Sequence, residues 1–214
     1  MSESPYPLMP QLDRQAPEFE AKTTHGPKKL GDYRGRWLIL FSHPSDFTPV
    51  CTSEFIAFAQ AYDEFQARDC DLLGLSIDSI SSHLAWVRNI KEKFGVTIPF
   101  PIIEDLSMEV AHAYGMIQPG ASDTSAVRAV FFIDRDGVLK AMVYYPMSNG
   151  RSVAELLRLL NALQTSQKHQ VATPEGWQSG DPVLVPPPMT VEDAAARLGE
   201  GYDCIDWYFC KKNL

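Results

Sequence analysis

The chain has 214 residues and a formal net charge of -8 at neutral pH. This length fits one domain of ordinary size plus an extension, and an acidic chain without a Lys/Arg block argues against nucleic acid or an anionic membrane as a partner. The four cysteines form no C-x-x-C pair, which argues against a zinc ribbon or a dithiol redox motif.

The first residues, MSESPYPLMP, lack the basic and apolar regions of a secretion signal. No later run approaches the ~18 apolar residues of a membrane span. We therefore expect a cytoplasmic protein.

The predicted elements begin with a hairpin in FEAKTTHGPKKL, where strand-like ends flank His-Gly-Pro. Two short apolar runs, WLILF at 37–41 and DLLGLSI at 71–77, are typical of strands buried on both faces. Between them, aromatic residues recur at helical spacing and predict an amphipathic helix over 50–67. These three elements predict a βαβ unit.

The rest of the core follows as a helix at about 80–94 closed by Gly95, a strand near 101–103 and a helix at 107–114. Asp136-Gly137, between AVRAVFFID and VLKAMVYY, predicts a hairpin. Leucines at helical spacing predict a last core helix over 152–166. A parallel unit followed by an antiparallel hairpin indicates an α/β, thioredoxin-like fold, in which helices flank a central mixed sheet.

Beyond residue 170, five prolines force an extended path. A short helix follows, with Thr190 as its N-cap and Gly199 after its end. The final segment, YDCIDWYFCKKNL, is too rich in aromatic residues to lie free in water, so we expect it to cover a second subunit. The predicted organisation is a thioredoxin-like domain over 1–168 and a C-terminal dimerisation arm over 169–214.

The stretch HPSDFTPVC, from His43 to Cys51, directly follows the first buried strand. Pro49 suits the first helical position and Thr48 the cap before it, which places Cys51 in the first turn among unpaired N–H groups. An ordinary thiol with a pKa of ~8.5 is only a few per cent thiolate at neutral pH. A helix N-terminus supplies ~2 kcal/mol at best, less than the ~3.4 kcal/mol needed to lower a thiol pKa to ~6. A reactive Cys51 therefore needs a nearby cation.

Arg128 is the best distant candidate for that cation, because it lies within the otherwise apolar run AVRAVFFID. A guanidinium can pair with a thiolate and still donate to a second atom. From the residues alone, two alternatives stay open: Arg128 faces solvent at a sheet margin, and Cys51 is a small buried hydrophobe.

The pattern Pro44-x-x-x-Thr48-x-x-Cys51 resembles the active-site motif of the peroxiredoxins, and FSHPSDFTPVCTSE is similar to the version in their one-cysteine subfamily. The likeness continues through SIDS and HLAWV, Arg128, YYPMSNGR at 144–151 and the C-terminal VPPP and DWYFC. It implies a thiol-dependent peroxidase acting on hydrogen peroxide and organic hydroperoxides, with no cofactor. The Cys51 thiolate would attack a peroxide oxygen and become a sulfenic acid.

The resemblance also implies roles for the residues around the sulfur. The Thr48 hydroxyl, Arg128 and the backbone N–H of Cys51 would stabilise the charge that spreads over the two oxygens in the transition state. Pro44 would shield the pocket from water. For His43, a hydrogen bond near the sulfur and a purely structural place at a strand end are both open.

The Val-Cys-Pro context of the resolving cysteine in the two-cysteine branch is absent from this sequence. Because relatives of the one-cysteine type carry extra cysteines in their tails, we predict that Cys210, or else Cys204, forms an intersubunit disulfide with Cys51 of the other chain. The alternative is an external thiol, such as thioredoxin or glutathione, that reduces Cys51 directly. Cys70 is predicted to be an inert core residue.

Other classes of function fit less well. A thioredoxin-type exchanger needs a second cysteine separated from the first by two residues, whereas Cys51 is followed by Thr52, Ser53 and Glu54. No histidine lies in a hydrolase signature. Metal binding is not expected, because no carboxylate stands at ligand spacing from His43 and Cys51. Arg36 occupies the place of the serine in the phospholipase-type site of some relatives, so that activity is not expected.

The resemblance implies a homo-oligomer, at least a homodimer and plausibly a homodecamer of five dimers. An oligomeric holdase chaperone with a secondary peroxidase activity is the alternative function.

Overall fold

The computed structural model describes residues 9–122 and 124–214. A small antiparallel hairpin of β1 (Glu20–Ala21) and β2 (Lys28–Lys29) lies near its start. This confirms the hairpin predicted in FEAKTTHGPKKL. Among the described residues, no helix is both long and apolar enough to cross a membrane.

Five strands form the central sheet: β3 (Trp37–Ser42), β4 (Cys70–Ser76), β5 (Ile102–Glu104), β6 (Arg128–Ile133) and β7 (Leu139–Tyr145). Their order across the sheet is β5-β4-β3-β6-β7. β4 runs parallel to both β3 and β5, whereas β6 is antiparallel to β3 and β7. The structure therefore confirms the predicted mixed sheet of thioredoxin-like type.

Four helices connect these strands: α1 (Pro49–Gln60), α2 (Tyr62–Gln66), α3 (Ile80–Phe94) and α4 (Glu109–Ala113). The single helix predicted over 50–67 is interrupted at Ala61, whose φ of -92° and ψ of 5° leave the helical region. The prediction for α3 is confirmed, because Gly95 ends it in the left-handed conformation with φ of 70°.

The middle strands are buried on both faces, and every residue of β3 is buried. One face carries aliphatic side chains such as Leu38, Leu40 and Leu73. The other face carries Phe41, whose ring stacks on Phe58 of α1 with a centroid distance of 4.2 Å. Further rings complete this aromatic cluster: Phe55, Trp86 and Phe100. It fixes α1 against the sheet, and with it the helix start that carries Cys51.

The chain divides into two compact units, Met1–Val153 and Ala154–Leu214. This boundary lies before the expected one at 168/169, so that nearly all of the last long helix, α5 (Val153–His169), belongs to the second unit. The rest of that unit consists of β8 (Val183–Leu184), α6 (Val191–Arg197), β9 (Asp203–Asp206) and β10 (Phe209–Lys212).

The C-terminal unit confirms one predicted cap and adds strands that were not predicted. Thr190 caps α6 by accepting a hydrogen bond from the Asp193 N–H at 3.1 Å. The aromatic tail, expected only as an apolar arm, forms a small antiparallel sheet in the order β8-β10-β9.

Candidate active site

Cys51 lies in the first turn of α1 and its side chain is fully buried. Pro49 takes the first helical position and Thr48 precedes it with extended backbone, as predicted. The Thr48 hydroxyl, however, does not cap the helix, because it donates to the Ser45 C=O at 2.8 Å. The Thr52 N–H pairs with the Thr48 C=O at 2.9 Å, so the Cys51 N–H belongs to the helix end that has no helical acceptors.

Arg128, at the start of β6, points its guanidinium at the sulfur. Its Nη1 donates to Cys51 Sγ at 3.3 Å and to Glu54 Oε2 at 2.7 Å, and its Nε donates to the Met147 C=O at 2.9 Å. The side chain is 3% exposed. The alternative in which Arg128 faces solvent is therefore wrong, and a cation stands where a reactive thiol needs one.

Two residues of this site, Glu54 and Arg151, escaped the sequence analysis. Glu54 is almost completely buried in α1, and Arg151 Nε and Nη2 each donate to one of its carboxylate oxygens at 2.8 Å. The Arg151 backbone N–H adds a third bond at 2.7 Å. A signal was present, because Glu54 is the one acidic residue on the apolar face that also carries Cys51, Phe55 and Phe58.

Cys51, Glu54, Arg128 and Arg151 form what we call the buried charge cluster. Burial would raise the pKa of the Glu54 carboxyl, but hydrogen bonds and positive charge from Arg151, with a further contribution from Arg128, hold it below its ordinary value. Two guanidiniums and one carboxylate leave one positive charge uncompensated. Because an unpaired buried charge is costly, the cluster favours one further negative charge beside Arg128.

Ser42, the last residue of β3, holds the backbone on both sides of Arg128. Its hydroxyl donates to the Val127 C=O at 2.5 Å and accepts from the Ala129 N–H at 3.1 Å. Arg151 Nη1 also donates to the Ala129 C=O at 2.8 Å. These buried bonds fix the direction in which the Arg128 side chain leaves the strand.

His43, predicted as a supporting residue, is fully buried just after β3, and Pro44 is buried beside it. His43 Nε2 lies 2.9 Å from Asp46 Oδ1, and His83 Nδ1 lies 2.8 Å from Asp46 Oδ2. The expectation that no carboxylate stands near His43 is therefore wrong. Asp46 follows it by three residues, in a loop that turns back on the strand end.

Of the other three cysteines, one is a free thiol and two form a disulfide. Burial, together with the neighbouring Asp71 carboxylate, raises the pKa of the Cys70 thiol, as expected for an inert core residue. Cys204 and Cys210 are joined to each other in a disulfide, a pairing that was not predicted. Cys51 and Cys70 are the free thiols of the described residues.

A thiol in the first turn of a helix that packs on a thioredoxin-like sheet, faced by a guanidinium and outside any C-x-x-C pair, is typical of redox enzymes that react through a single cysteine. The comparisons with known proteins agree. The chain matches the AhpC/TSA family over residues 12–142 and the C-terminal domain of 1-Cys peroxiredoxin over residues 162–201.

A peroxiredoxin of Aquifex aeolicus is 55% identical, covering 96% of this chain and 98% of the relative. A peroxiredoxin of Methanosarcina mazei is 49% identical, covering 95% and 98%. The solved structure of a yeast mitochondrial 1-Cys peroxiredoxin has a TM-score of 0.85 at 36% identity, covering 96% of this chain and 100% of that one. The chain belongs to the peroxiredoxins of the AhpC/TSA family and is a thiol-dependent peroxidase.

Proposed function

We propose that this peroxidase reduces hydrogen peroxide and organic hydroperoxides at Cys51 through a sulfenic acid. The observation that carries the proposal is the 3.3 Å contact between Arg128 Nη1 and the buried Cys51 Sγ. The thiolate attacks one peroxide oxygen, and the S–O bond forms as the O–O bond breaks. The other oxygen takes up a proton and leaves as water or an alcohol.

We propose that the attack on the peroxide is fast because hydrogen-bonding groups are already placed to contact its two oxygens. Arg128 Nη1 and the Cys51 N–H are donors for the charge that develops on them. The hydrogen of the Thr48 hydroxyl is committed to the Ser45 C=O, so Thr48 accepts the hydroperoxide O–H rather than donating to the substrate. Pro44, buried in the same loop, limits the entry of water.

Mass spectrometry after one equivalent of peroxide tests this assignment. One oxygen atom should appear on Cys51, and Cys51→Ser should abolish peroxide consumption. Thr48→Val and Arg128→Met should each lower the rate by orders of magnitude, whereas the control Cys70→Ser should retain it. Full turnover by Cys51→Ser would contradict the proposal.

For the second half of the cycle, we propose that Cys210 of the partner subunit, or else Cys204, reduces the sulfenic acid. The Cys210 thiol attacks the oxidised Cys51 sulfur, which forms an intersubunit disulfide and releases water. Cys204 then attacks Cys210, which frees the Cys51 thiolate and leaves a Cys204–Cys210 disulfide. The presence of this pair in the structure supports the sequence of steps. An external thiol such as thioredoxin or glutathione would reopen it.

Non-reducing gels distinguish this route from direct reduction. Cys204→Ser should trap the Cys51–Cys210 disulfide as a covalent dimer after peroxide treatment, and Cys210→Ser should lose that band. Unchanged turnover with either external reductant in the Cys204→Ser, Cys210→Ser double variant would instead show that the reductant acts on Cys51 itself.

The apolar tail supports a homo-oligomer, at least a dimer. Ile205, Trp207 and Tyr208 lie in and beside the turn of the β9–β10 hairpin and are 82%, 42% and 58% exposed, and an apolar patch of this kind is typical of an interface. Sedimentation of Ile205→Asp should show a weaker dimer. A decamer and a cytoplasmic location stay predictions, and no observation on the described residues favours the holdase alternative.

A further inference from the structure

His43, Asp46 and His83 form a buried hydrogen-bonded chain next to the active-site loop. Asp46 Oδ1 lies 2.9 Å from His43 Nε2, and Asp46 Oδ2 lies 2.8 Å from His83 Nδ1. The other ring nitrogen of His83, Nε2, lies 3.0 Å from the Ile103 C=O. Both histidines are fully buried and Asp46 is 5% exposed. Their protons can therefore be assigned from the partners of each nitrogen.

His83 faces an acceptor at both ring nitrogens. A backbone carbonyl can only accept, so His83 Nε2 carries a hydrogen. Burial would raise the pKa of the Asp46 carboxyl, but the hydrogen bonds that it receives from His43 and His83 hold it well below its ordinary value. Because this carboxylate is ionised, His83 Nδ1 donates as well. A ring with hydrogens on both nitrogens is an imidazolium, so His83 and Asp46 are a buried ion pair.

His43, unlike His83, has a hydrogen-bond partner at only one ring nitrogen among the residues described. Its Nε2 donates to Asp46, while its Nδ1 is buried without a hydrogen-bond partner among the residues described. Burial lowers the pKa of the ring, against the opposing effect of Asp46. His43 is therefore neutral, with its hydrogen on Nε2 and a bare lone pair at Nδ1. Stacking on Trp86, at a centroid distance of 5.1 Å, and an edge contact with Phe55 at 4.8 Å hold the ring.

The same ion pair anchors the loop over 44–48 that joins β3 to α1. Asp46 reaches from this loop to His83 on α3, and its backbone N–H donates to Asp78 Oδ2 at 2.9 Å. Two residues later, Thr48 ends the loop and begins the helix turn that carries Cys51. A change at Asp46 therefore acts on the part of the backbone that places Thr48 and Cys51.

We propose that Asp46 and His83 are positioning residues of the active site. Their buried ion pair holds the loop over 44–48 and keeps His43 neutral, with the hydrogen on Nε2 and Nδ1 free to accept. The kinetic part of this inference rests on the proposed peroxidase reaction, whereas the proton assignment does not.

A metal ion is the competing explanation, because the ligand atoms of His43, Asp46 and His83 all lie within 4.8 Å of one another. Two ligands of one tetrahedral zinc, each bound at ~2.0–2.1 Å, lie ~3.3 Å apart. The nitrogen–oxygen distances here are 2.9 and 2.8 Å, which are hydrogen-bond distances. The Ile103 carbonyl also accounts for the second nitrogen of His83. Hydrogen bonds, rather than coordination of a metal ion, account for these distances.

Nitrogen-15 NMR of the histidine side chains in the reduced, full-length protein tests the proton assignment directly. At neutral pH, His83 should show an imidazolium with hydrogens on both nitrogens, and His43 a neutral ring protonated at Nε2. His43→Gln and His83→Gln assign the signals. A neutral His83 ring, or stoichiometric zinc that shifts both rings, would overturn the inference.

Asp46→Asn tests the positioning role, because it removes the charge and retains the shape. We expect His83 to lose the imidazolium signature and the rate constant with hydrogen peroxide to fall by ~10-fold to ~100-fold. His169→Gln, which changes an exposed histidine in α5, is the control and should leave the rate constant unchanged. A neutral His83 together with an unchanged rate would contradict the positioning role.

The two readouts separate this inference from the proposed function. The NMR spectra need no peroxide, so they decide the proton assignment even where Asp46→Asn does not fold. Oxidation of Cys51 by peroxide in the unaltered chain would confirm the proposed function even if the NMR spectra contradict the proton assignment. The NMR spectra can likewise confirm the proton assignment if Cys51 is not oxidised.

Discussion

Ser42→Ala is expected to lower the stability of the protein, because two buried backbone groups lose their hydrogen bond to the hydroxyl and keep only the one between them, from the Ala129 N–H to the Val127 C=O at 3.0 Å. The hydroxyl accepts from the Ala129 N–H at 3.1 Å and donates to the Val127 C=O at 2.5 Å, and all three residues are buried. A typical intramolecular hydrogen bond contributes ~0.5–1.5 kcal/mol net. For the two bonds of the hydroxyl the free energy of unfolding should fall by ~1–3 kcal/mol, as measured by urea denaturation.

The same substitution should slow the reaction with peroxide, because the two bonds flank Arg128. Its Nη1 lies 3.3 Å from Cys51 Sγ, and a displacement of ~1 Å in a positioning contact can lower a rate by up to ~100-fold. We expect the second-order rate constant with hydrogen peroxide to fall by at least ~10-fold, in stopped-flow measurements under conditions where the variant is folded.

Thr23→Ala is a matched control. Thr23 is also a buried hydroxyl that bridges two backbone groups, since it donates to the Gly26 C=O at 2.6 Å and accepts from the His25 N–H at 3.0 Å. It belongs to the β1–β2 hairpin and should cost stability without slowing the reaction. If Ser42→Ala lost stability but retained the rate constant as Thr23→Ala does, the reasoning that Ser42 directs Arg128 would be refuted.

Gly137→Ala should cost ~1–2 kcal/mol of stability and leave the rate unchanged, because Gly137 has φ of 74° and a Cβ there would overlap Arg34 Nη1. Thermal unfolding measures this. A thiol-directed reagent should modify Cys70 in the unfolded protein but not in the native protein, because burial raises the pKa of this thiol. Labelling of Cys70 in the folded state would contradict this prediction. The pKa values of Glu54 and Asp46 are depressed by folding, so their contribution to the free energy of unfolding should be complete above ~pH 5 and be lost as the pH falls further. Urea titrations at several pH values, with Glu54→Gln as the comparison, check the sign.

Sequence reasoning succeeded where the signal is local. Gly95, Asp136-Gly137 and Thr190 each specify a turn or a helix end through their own backbone chemistry, and the structure has all three. The motif around Cys51 was equally accessible, because its residues fall within nine positions of the chain.

The contacts that the sequence did not predict join residues that only the fold brings together. Glu54 and Arg151 are 97 positions apart, and Asp46 and His83 are 37 apart. The apolar face of α1 indicates that Glu54 is buried, but only the fold identifies Arg151 as its main partner. The break at Ala61 is likewise invisible to helical periodicity, since the apolar spacing continues through it.

Oxidation alters the electrical balance of the buried charge cluster. A sulfenic acid carries no charge, so Glu54 then offsets only one of the two guanidiniums, and the cluster carries a net positive charge. Such a charge attracts an anion, and a thiolate reductant is one. In the proposed cycle, this charge draws the reductant to the oxidised enzyme, whereas further oxidation to a sulfinate would restore neutrality and remove that attraction.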